Sequence, residues 1–413
     1  MKASVFTLGC KVNGCESASL LRGLAERGWE VCEGLVPADL YILNTCAVTA
    51  EAEKKSRQAV ARIRAVAPRA RIVVCGCASE RDPAAFAGKA GVSAVAGARQ
   101  KGRVLELLDK EGVFLCEDDT AFDELLPPKT FHARAFVKVQ DGCNNFCSYC
   151  IIPYLRGRSR SRSLESAAAE ILASPAEEVV ITGIDVSSYS DGGRGLPELL
   201  LAVKDARSRI RLGSLEVSAV TPRLLDAAER VRGFAPHFHL SLQSGSDAVL
   251  RAMNRHYTRE EFLARVELIR SRFPAAAVTT DAIAGFPTET EEDFSQTLDL
   301  LRRARFSQVH CFAYSPRAGT AAAKRFKDLP PAVKKRRLHE LLAAAEELRR
   351  GYESAFAGKV LDFVPEERKG GYTVGYSENY IRLYVEGAVA HRCRVTALGA
   401  FEDGLKATIT EEQ

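Results

Sequence analysis

Apolar and polar positions follow one pattern through the first 110 residues, in which short β-branched runs alternate with amphipathic segments. The pattern predicts strands at residues 4–8, 40–43 and 71–75, and helices at residues 16–27 and 50–67. Helices between successive strands are typical of a parallel sheet with crossover connections. We therefore predict an open parallel α/β sheet for the N-terminal part of the chain.

From residue 134 to about residue 320, a strand–helix pattern recurs six times. The predicted strands lie at residues 135–139, 179–182, 210–215, 238–242, 277–283 and 308–312. Six βα units predict a partial (βα)6 barrel related to the eight-stranded one. In such barrels the functional groups stand on loops at the carboxyl ends of the strands.

The last part of the chain, from about residue 352, consists of short strand-type runs separated by glycine-containing turns. These runs lie at residues 360–364, 372–376, 380–385, 392–398 and 406–409. They predict a small all-β barrel of a kind that often binds nucleic acid, although this part is net acidic. Together with the linker-like stretch around Pro127-Pro128, the pattern predicts three domains, at residues 1–130, 131–350 and 351–413.

Composition places the chain among ordinary globular proteins, with 46% hydrophobic and 27% charged residues in 413. The net charge of +5 is small for this length, so nucleic-acid binding would depend on local patches. Twelve cysteines without a signal peptide or a long apolar run favour reduced thiols and metal ligation over disulfides. We expect a cytoplasmic protein with no membrane segment.

Three thiols, Cys143, Cys147 and Cys150, fall within one short loop that is rich in Gly and Asn. This spacing indicates a shared metal centre. Structural zinc sites and iron–sulfur clusters usually have four protein ligands, and the next cysteine is far away in the sequence. One metal position would then be open for chemistry. A structural zinc site and unrelated core thiols are the alternatives.

A second set of thiols, Cys10, Cys46 and Cys77, follows the three predicted N-terminal strands. Each lies two or three residues beyond the last apolar residue of its strand. Because parallel strands end at the same edge of a sheet, these thiols should meet there and form a second three-ligand site. The alternative is three unrelated turn cysteines. Cys75 competes with Cys77 for the third position, and we expect Cys75 to point into the core.

Polar residues follow the barrel strands in the same way and are candidates for holding a ligand at the barrel mouth, the alternative being ordinary loop caps. They are Asp185, Glu216, Gln243, Ser244 and Ser315, together with Asp281 inside the fifth strand. An alternating basic run follows the cysteine loop and could meet a phosphate backbone or a ligand carboxylate, or be a solvated loop. It consists of Arg156, Arg158, Arg160 and Arg162.

The motifs together resemble the methylthiotransferases, a subgroup of the radical S-adenosylmethionine (SAM) enzymes, over essentially the whole chain. The C-x3-C-x2-C loop, with Tyr149 before its last cysteine, resembles the radical SAM cluster loop. Residues 7–13, 44–49 and 76–80 resemble the three cysteine motifs of the family's first domain. Residues 242–247 and 285–290 resemble further signatures of the family, and residues 375–380 resemble a turn of its C-terminal TRAM domain.

The resemblance implies two 4Fe–4S clusters and SAM as cofactors. Cys143, Cys147 and Cys150 would hold the cluster that binds and cleaves SAM, and Cys10, Cys46 and Cys77 would hold an auxiliary cluster that takes up sulfur. Glu216, Gln243, Ser244 and Asp281 become candidate SAM contacts. The remaining thiols are expected to be packing or surface residues: Cys15, Cys32, Cys75, Cys116, Cys311 and Cys393.

Within the family, residues 11–13, 48–49 and 144–146 most resemble the branch that adds a methylthio group to N6-threonylcarbamoyladenosine at position 37 of tRNA. The alternatives are the isopentenyladenosine branch, the branch that modifies a ribosomal-protein aspartate, and a two-cluster electron carrier with an RNA-binding tail. Gly14, Cys15 and Thr288 depart from the usual family pattern. The implied partners are tRNA, a sulfur donor and an electron donor such as flavodoxin or ferredoxin, and we expect a monomer.

Overall fold

A computed structural model describes residues 1–99, 101–116, 120–127 and 133–410. The N-terminal part is a six-stranded parallel sheet with strand order β2-β1-β3-β4-β5-β6. Its elements are β1 (Lys2–Thr7), α1 (Lys11–Glu26), β2 (Glu30–Glu33), β3 (Leu40–Thr45), α2 (Ala50–Val66), β4 (Arg71–Gly76), α3 (Cys77–Arg81), β5 (Val92–Ala96) and β6 (Gly112–Phe114). Apolar clusters cover both faces of the sheet, as a parallel sheet requires.

The central part begins with a three-stranded parallel sheet of order β13-β10-β7. Its elements are β7 (Arg134–Lys138), β8 (Gln140–Asp141), α4 (Ile152–Arg156), β9 (Arg160–Ser161), α5 (Leu164–Ala173), β10 (Glu178–Thr182), β11 (Ser190–Asp191), β12 (Arg194–Gly195), α6 (Leu196–Ala202) and β13 (Arg209–Leu212). The short strands β8 and β9 pair with each other beside the cysteine loop.

The barrel continues as a four-stranded parallel sheet of order β14-β15-β16-β17. Its elements are β14 (Ser214–Leu215), α7 (Pro222–Glu229), β15 (His237–Gln243), α8 (Asp247–Ala252), α9 (Arg259–Arg272), β16 (Ala277–Ala284), α10 (Glu291–Ala304), β17 (Gln308–Ala313), α11 (Ala321–Arg325) and α12 (Pro331–Ser354). One apolar core lies between the strands and the surrounding helices.

The third predicted barrel strand is divided at Gly213 into β13 and β14. A Cβ atom at this glycine would lie 2.9 Å from the carbonyl oxygen of Ile181, and the Gly213 N–H donates to that oxygen. The backbone therefore approaches β10 too closely for any side chain. The six predicted strands are otherwise present within about two residues, as expected for boundaries drawn from a pattern.

The C-terminal part is a closed barrel with strand order β18-β19-β20-β22-β21. Its strands are β18 (Val360–Lys369), β19 (Tyr372–Ser377), β20 (Arg382–Glu386), β21 (Cys393–Phe401) and β22 (Gly404–Ile409). The predicted three-part α/β architecture is thus confirmed. The domain boundary near residue 130 lies outside the described residues and stays a prediction, as does the boundary near residue 350.

The small barrel packs against the amino ends of the central strands, so that it closes one end of the partial barrel. Glu178 is fully buried there between Arg134, Arg209 and Arg211. Arg209 and Arg211 also donate to backbone carbonyls of the small barrel, at Tyr376, Ser377 and Glu378. Because the small barrel covers this end, the carboxyl ends of the strands are the more open side of the partial barrel.

The N-terminal domain packs on the open side of the partial barrel. Its helix α1 lies along the edge strand β7, where the Cys15 thiol donates to the Phe136 carbonyl at 3.2 Å. The carboxyl edge of the N-terminal sheet is thereby brought beside the barrel mouth. In the described parts of the chain, no helix is long and apolar enough to cross a lipid bilayer.

Candidate metal centres

The loop with Cys143, Cys147 and Cys150 follows the first barrel strand and is fixed by backbone hydrogen bonds. The Cys143 N–H donates to the Gly157 carbonyl at 3.1 Å, and the Ser148 N–H donates to the Met253 carbonyl at 2.8 Å. All three thiols are partly exposed. Burial raises the pKa of Cys143 to about 11 and that of Cys150 to about 12, and neighbouring thiols of the loop add to both shifts. A bound metal cation would be needed to hold these sulfurs as thiolates.

Cys10, Cys46 and Cys77 follow β1, β3 and β4, which are neighbours in the N-terminal sheet. Their approach depends on the glycine before Cys10, which has φ +114°. A Cβ atom at Gly9 would lie 2.8 Å from the Cβ and 3.0 Å from the Sγ of Cys46. Gly76 plays the same role before Cys77: it has φ +113°, and a Cβ atom there would lie 2.4 Å from the Thr45 carbonyl oxygen. Only glycine fits at either place.

The structure separates the two adjacent candidates for the third position. Cys75 lies in β4 and faces the apolar cluster that contains Val5 and Leu20. Cys77 begins α3; burial raises the pKa of its thiol, and the charge of Cys10 adds to that shift. The geometry therefore groups Cys77, and not Cys75, with Cys10.

Neither set of three thiols has all its sulfur atoms within 4.8 Å of one another. Among the described residues, only His239, Asp281 and His310 form a group whose ligand atoms all lie within 4.8 Å of one another. A single zinc ion bound at about 2.3 Å would hold its sulfur ligands about 3.8 Å apart. Two sets of three thiols with wider spacing fit 4Fe–4S clusters, whose thiolate ligands bind different irons.

Arg255 links the cysteine loop to one of the predicted ligand residues. Its guanidinium donates to Cys147 Sγ at 3.3 Å and to the carboxylate of Glu216. It also donates to the Ser241 carbonyl at 2.9 Å and lies over the Tyr257 ring. Sequence reasoning missed Arg255, because its partners are far from it in the chain. Burial raises the pKa of Glu216, whereas Arg255 opposes that shift.

The predicted ligand residues at the mouth differ in accessibility. Glu216 and Gln243 are partly exposed, and Gln243 has φ +68° where β15 ends. Asp185 accepts a hydrogen bond from Asn145 and lies 4.0 Å from Cys143 Sγ. Ser244 is fully buried, with its hydroxyl 3.4 Å from that of Thr297. Its hydroxyl accepts a hydrogen bond from the Ser246 N–H at 3.3 Å and so stabilises the start of the following turn, and a contact between Ser244 and SAM stays a prediction.

Asp281 points into the barrel lumen, beside two histidines that the sequence pattern did not single out. His239 Nε2 lies 3.3 Å from Asp281 Oδ2, and the ring centroids of His239 and His310 are 5.7 Å apart. These three side chains are partly buried. The missed signal was the alternation in β15 and at the start of β17, where every second residue is polar and therefore faces the lumen.

The basic run after the cysteine loop is mostly interior. Arg156, Arg160 and Arg162 are buried, and each lies near carboxylates or backbone carbonyls of the protein. These three side chains are therefore bonded inside the protein, and their contact with RNA or a ligand stays a prediction. Arg158 alone of the four is exposed, and its guanidinium lies over the Phe146 ring.

Arg156 lies in a buried ionic cluster between the two thiol sites. It donates to Glu16 Oε1 at 2.8 Å, to Asp141 Oδ1 at 3.1 Å and to Asn13 Oδ1 at 2.8 Å. Lys101 and Lys138 complete the cluster. Glu16 and Asn13 belong to α1, which begins after Cys10, and Asp141 stands two residues before Cys143. The cluster therefore fixes one thiol site relative to the other.

Comparisons with known proteins agree with this geometry. Residues 137–301 match the radical SAM superfamily, and residues 2–97 match a family described as uncharacterized protein family UPF0004. The threonylcarbamoyladenosine tRNA methylthiotransferase MtaB of Bacillus subtilis is 36% identical over 404 residues, which cover 92% of this chain and 89% of that protein. The tRNA-2-methylthio-N(6)-dimethylallyladenosine synthase of Pseudothermotoga lettingae is 34% identical, covering 89% and 88%.

Among solved structures, the radical SAM methyltransferase TsrM from Kitasatospora setae, bound to tryptophan and a SAM analogue, matches with a TM-score of 0.60. It is 14% identical and covers 84% of this chain and 89% of that one. The cobalamin-dependent radical SAM enzyme OxsB matches with a TM-score of 0.54 and 11% identity, covering 84% and 56%. At these identities the likeness concerns the fold alone.

Proposed function

The chain belongs to the radical SAM methylthiotransferases, and from this we propose that it adds a methylthio group to C2 of N6-threonylcarbamoyladenosine at position 37 of tRNA. The observation that carries the proposal is the presence of two three-thiol sites, held side by side by the ionic cluster around Arg156. Relatives from Bacillus subtilis and Chlamydia pneumoniae, at 36% and 38% identity, are named for this substrate.

Cys143, Cys147 and Cys150 would hold one 4Fe–4S cluster, and Cys10, Cys46 and Cys77 a second one. When bound and reduced, the first cluster would supply one-electron chemistry with SAM, which the reaction needs because the C2–H bond of adenine is not acidic. Glu216 and Gln243 stand at the mouth where SAM would bind. Arg255 orients the Glu216 carboxylate toward that mouth and donates a hydrogen bond to Cys147.

The protein's own residues enclose the lumen and offer polar groups to the bound substrate. The small barrel covers the amino end of the central barrel through Glu178 and its arginine partners. The lumen residues His239, Asp281 and His310 offer polar groups to a bound nucleoside. We propose a cytoplasmic monomer that receives electrons from a flavodoxin or ferredoxin and sulfur from a separate donor.

Mass spectrometry of tRNA nucleosides tests the proposal. Deletion of the gene is expected to abolish 2-methylthio-N6-threonylcarbamoyladenosine and to leave its unmethylthiolated precursor. Complementation should restore the product with the wild-type gene but not with Cys143→Ala. Loss of the methylthio derivative of isopentenyladenosine instead would assign the chain to the alternative tRNA branch, whose named relatives are 34% identical. Loss of methylthioaspartate in a ribosomal protein would assign it to the third branch.

Arg255→Met is expected to lower the midpoint potential of the cluster held by the Cys143 loop by on the order of 60 mV. The variant removes a positive charge and a hydrogen bond at 3.3 Å from Cys147 Sγ, and both stabilise the more negative reduced state. EPR-monitored redox titration measures the shift. Arg251→Met, at an exposed position of α8, is the matched control. Equal midpoint potentials in the two variants would show that Arg255 does not tune the cluster.

A further inference from the structure

Lys11 directly follows Cys10 and carries an exposed ammonium group at the first position of α1. In the part of the chain that the structure describes, no carboxylate lies within ion-pair distance of it. The neighbouring residues of α1 differ in this respect, since Asn13 and Glu16 are buried and bonded. Lys11 is thus a cation at the edge of the N-terminal thiol site with its bonding capacity unused inside the protein.

The contacts of α1 place its first residues on the mouth side of the open edge of the barrel. The helix lies along the edge strand β7, with the Cys15 thiol 3.2 Å from the Phe136 carbonyl oxygen. Burial is the main cause of the lowered pKa of His310, and the charge of Lys11 contributes to it. Lys11 therefore stands between the N-terminal thiol site and the mouth of the barrel, whose lumen holds the group of His239, Asp281 and His310.

The chemistry of the proposed substrate explains what such a cation could bind. C2 and C6 of adenine flank N1 in one six-membered ring. If C2 is presented to the thiol site of Cys10, the group attached to N6 must lie within a side chain's length of that site. A threonylcarbamoyl group carries a carboxylate, whereas an isopentenyl group is apolar.

We propose that Lys11 is a specificity-determining residue that binds the carboxylate of the N6 substituent. This inference rests on the proposed function. The ammonium favours the threonylcarbamoyl group, because it forms a charge-assisted pair with the carboxylate. It disfavours an isopentenyl group, because an apolar substituent would remove water from the ammonium without offering it a partner. The polar side chains of the lumen, Asp281 and two histidines, are equally unsuited to an apolar group.

The test measures binding of anticodon stem-loop RNAs that carry threonylcarbamoyladenosine, isopentenyladenosine or plain adenosine at position 37. The cluster-loaded protein is titrated with each RNA and followed by fluorescence anisotropy. Lys11→Gln is expected to weaken binding of the threonylcarbamoyl RNA about tenfold, the loss expected for one charge-assisted contact, with less than a twofold change for the plain RNA. Lys11→Arg, which keeps the charge, should retain the preference.

Two further arms identify the contact. Methyl esterification of the threonyl carboxylate should weaken binding to the wild type about tenfold and leave binding to Lys11→Gln unchanged, because the contact is already lost there. Lys55→Gln, at an exposed position of α2, controls for a general loss of positive charge. If Lys11→Gln weakens all three RNAs equally, Lys11 is a phosphate contact and the inference fails. It fails equally if the preference survives the substitution.

Failure of the inference can be told apart from failure of the proposed function. The wild-type protein is assayed for methylthiolation of the same RNAs. If the wild type modifies the threonylcarbamoyl RNA while the binding preference for that RNA survives Lys11→Gln, only the role of Lys11 is overturned. Modification of the isopentenyl RNA in its place overturns the proposed function, and with it the inference.

Discussion

Cys77→Ala is expected to reduce the iron content of the reconstituted protein from about eight atoms per chain to about four, whereas Cys75→Ala should leave it near eight. The two thiols are separated by one residue but face opposite ways. Cys77 lies beside Cys10 and Cys46, and Cys75 is packed among apolar residues of the sheet. Iron and sulfide are counted after anaerobic reconstitution.

The expected product of Cys77→Ala is a protein that retains one cluster and still cleaves SAM under a strong reductant. Cys143→Ala is the complementary variant: it should also retain about four irons but release no 5′-deoxyadenosine, because the other site lacks SAM chemistry. Loss of iron from Cys75→Ala with full iron in Cys77→Ala would reverse the assignment. Full zinc occupancy with no iron in the wild type would contradict both clusters.

The strand pattern and the six cysteines could be predicted from local sequence because each depends on a short segment. A buried parallel strand needs an apolar run, and a ligand at a sheet edge must follow that run directly. Three strands of the N-terminal sheet could not be predicted in this way. β2 and β6 are short and largely exposed, and β5 contains small residues, so none of them carries a strong apolar signal.

The partners of charged residues could not be predicted in the same way. Arg156 and Glu16 are 140 positions apart in the chain, and neither neighbourhood indicates the other. Alternating arginines suggest an exposed basic run, but alternation shows only that successive side chains point to opposite sides. Burial of three of them is decided by the docking of two domains, which no local pattern reports.

The residues at the barrel mouth could be predicted from the sequence only in part. Glu216 and Gln243 follow strands and remain at the mouth, whereas Ser244, one residue further, turns into the interior. The direction of a side chain after a strand depends on the turn that follows. Gln243 adopts a left-handed conformation with φ +68°, and this single backbone angle reverses the expected direction of the next residue.

Arg156→Gln is expected to lower the free energy of unfolding by about 3 kcal/mol, because it removes one of the two cations that pair with both buried carboxylates, Glu16 and Asp141, and leaves Lys138 as the other. Arg158→Gln, two residues away and exposed, should cost less than about 1 kcal/mol. Urea denaturation of the two variants, prepared with the same iron content, measures the difference. Equal stabilities would show that the cluster does not hold the domains together.

The pH dependence of the same cluster gives an independent measurement. Burial alone would raise the pKa of Glu16, but Arg156, Lys101 and Lys138 hold it well below its usual range. A carboxyl with a depressed pKa in the folded state stabilises the protein above its unfolded pKa, and this stabilisation is lost as the pH falls toward the folded value. The stability gap between the wild type and Arg156→Gln should therefore narrow on acidification below about pH 4. If Arg156 served RNA instead, its replacement would weaken tRNA binding and leave both the gap and its pH dependence absent.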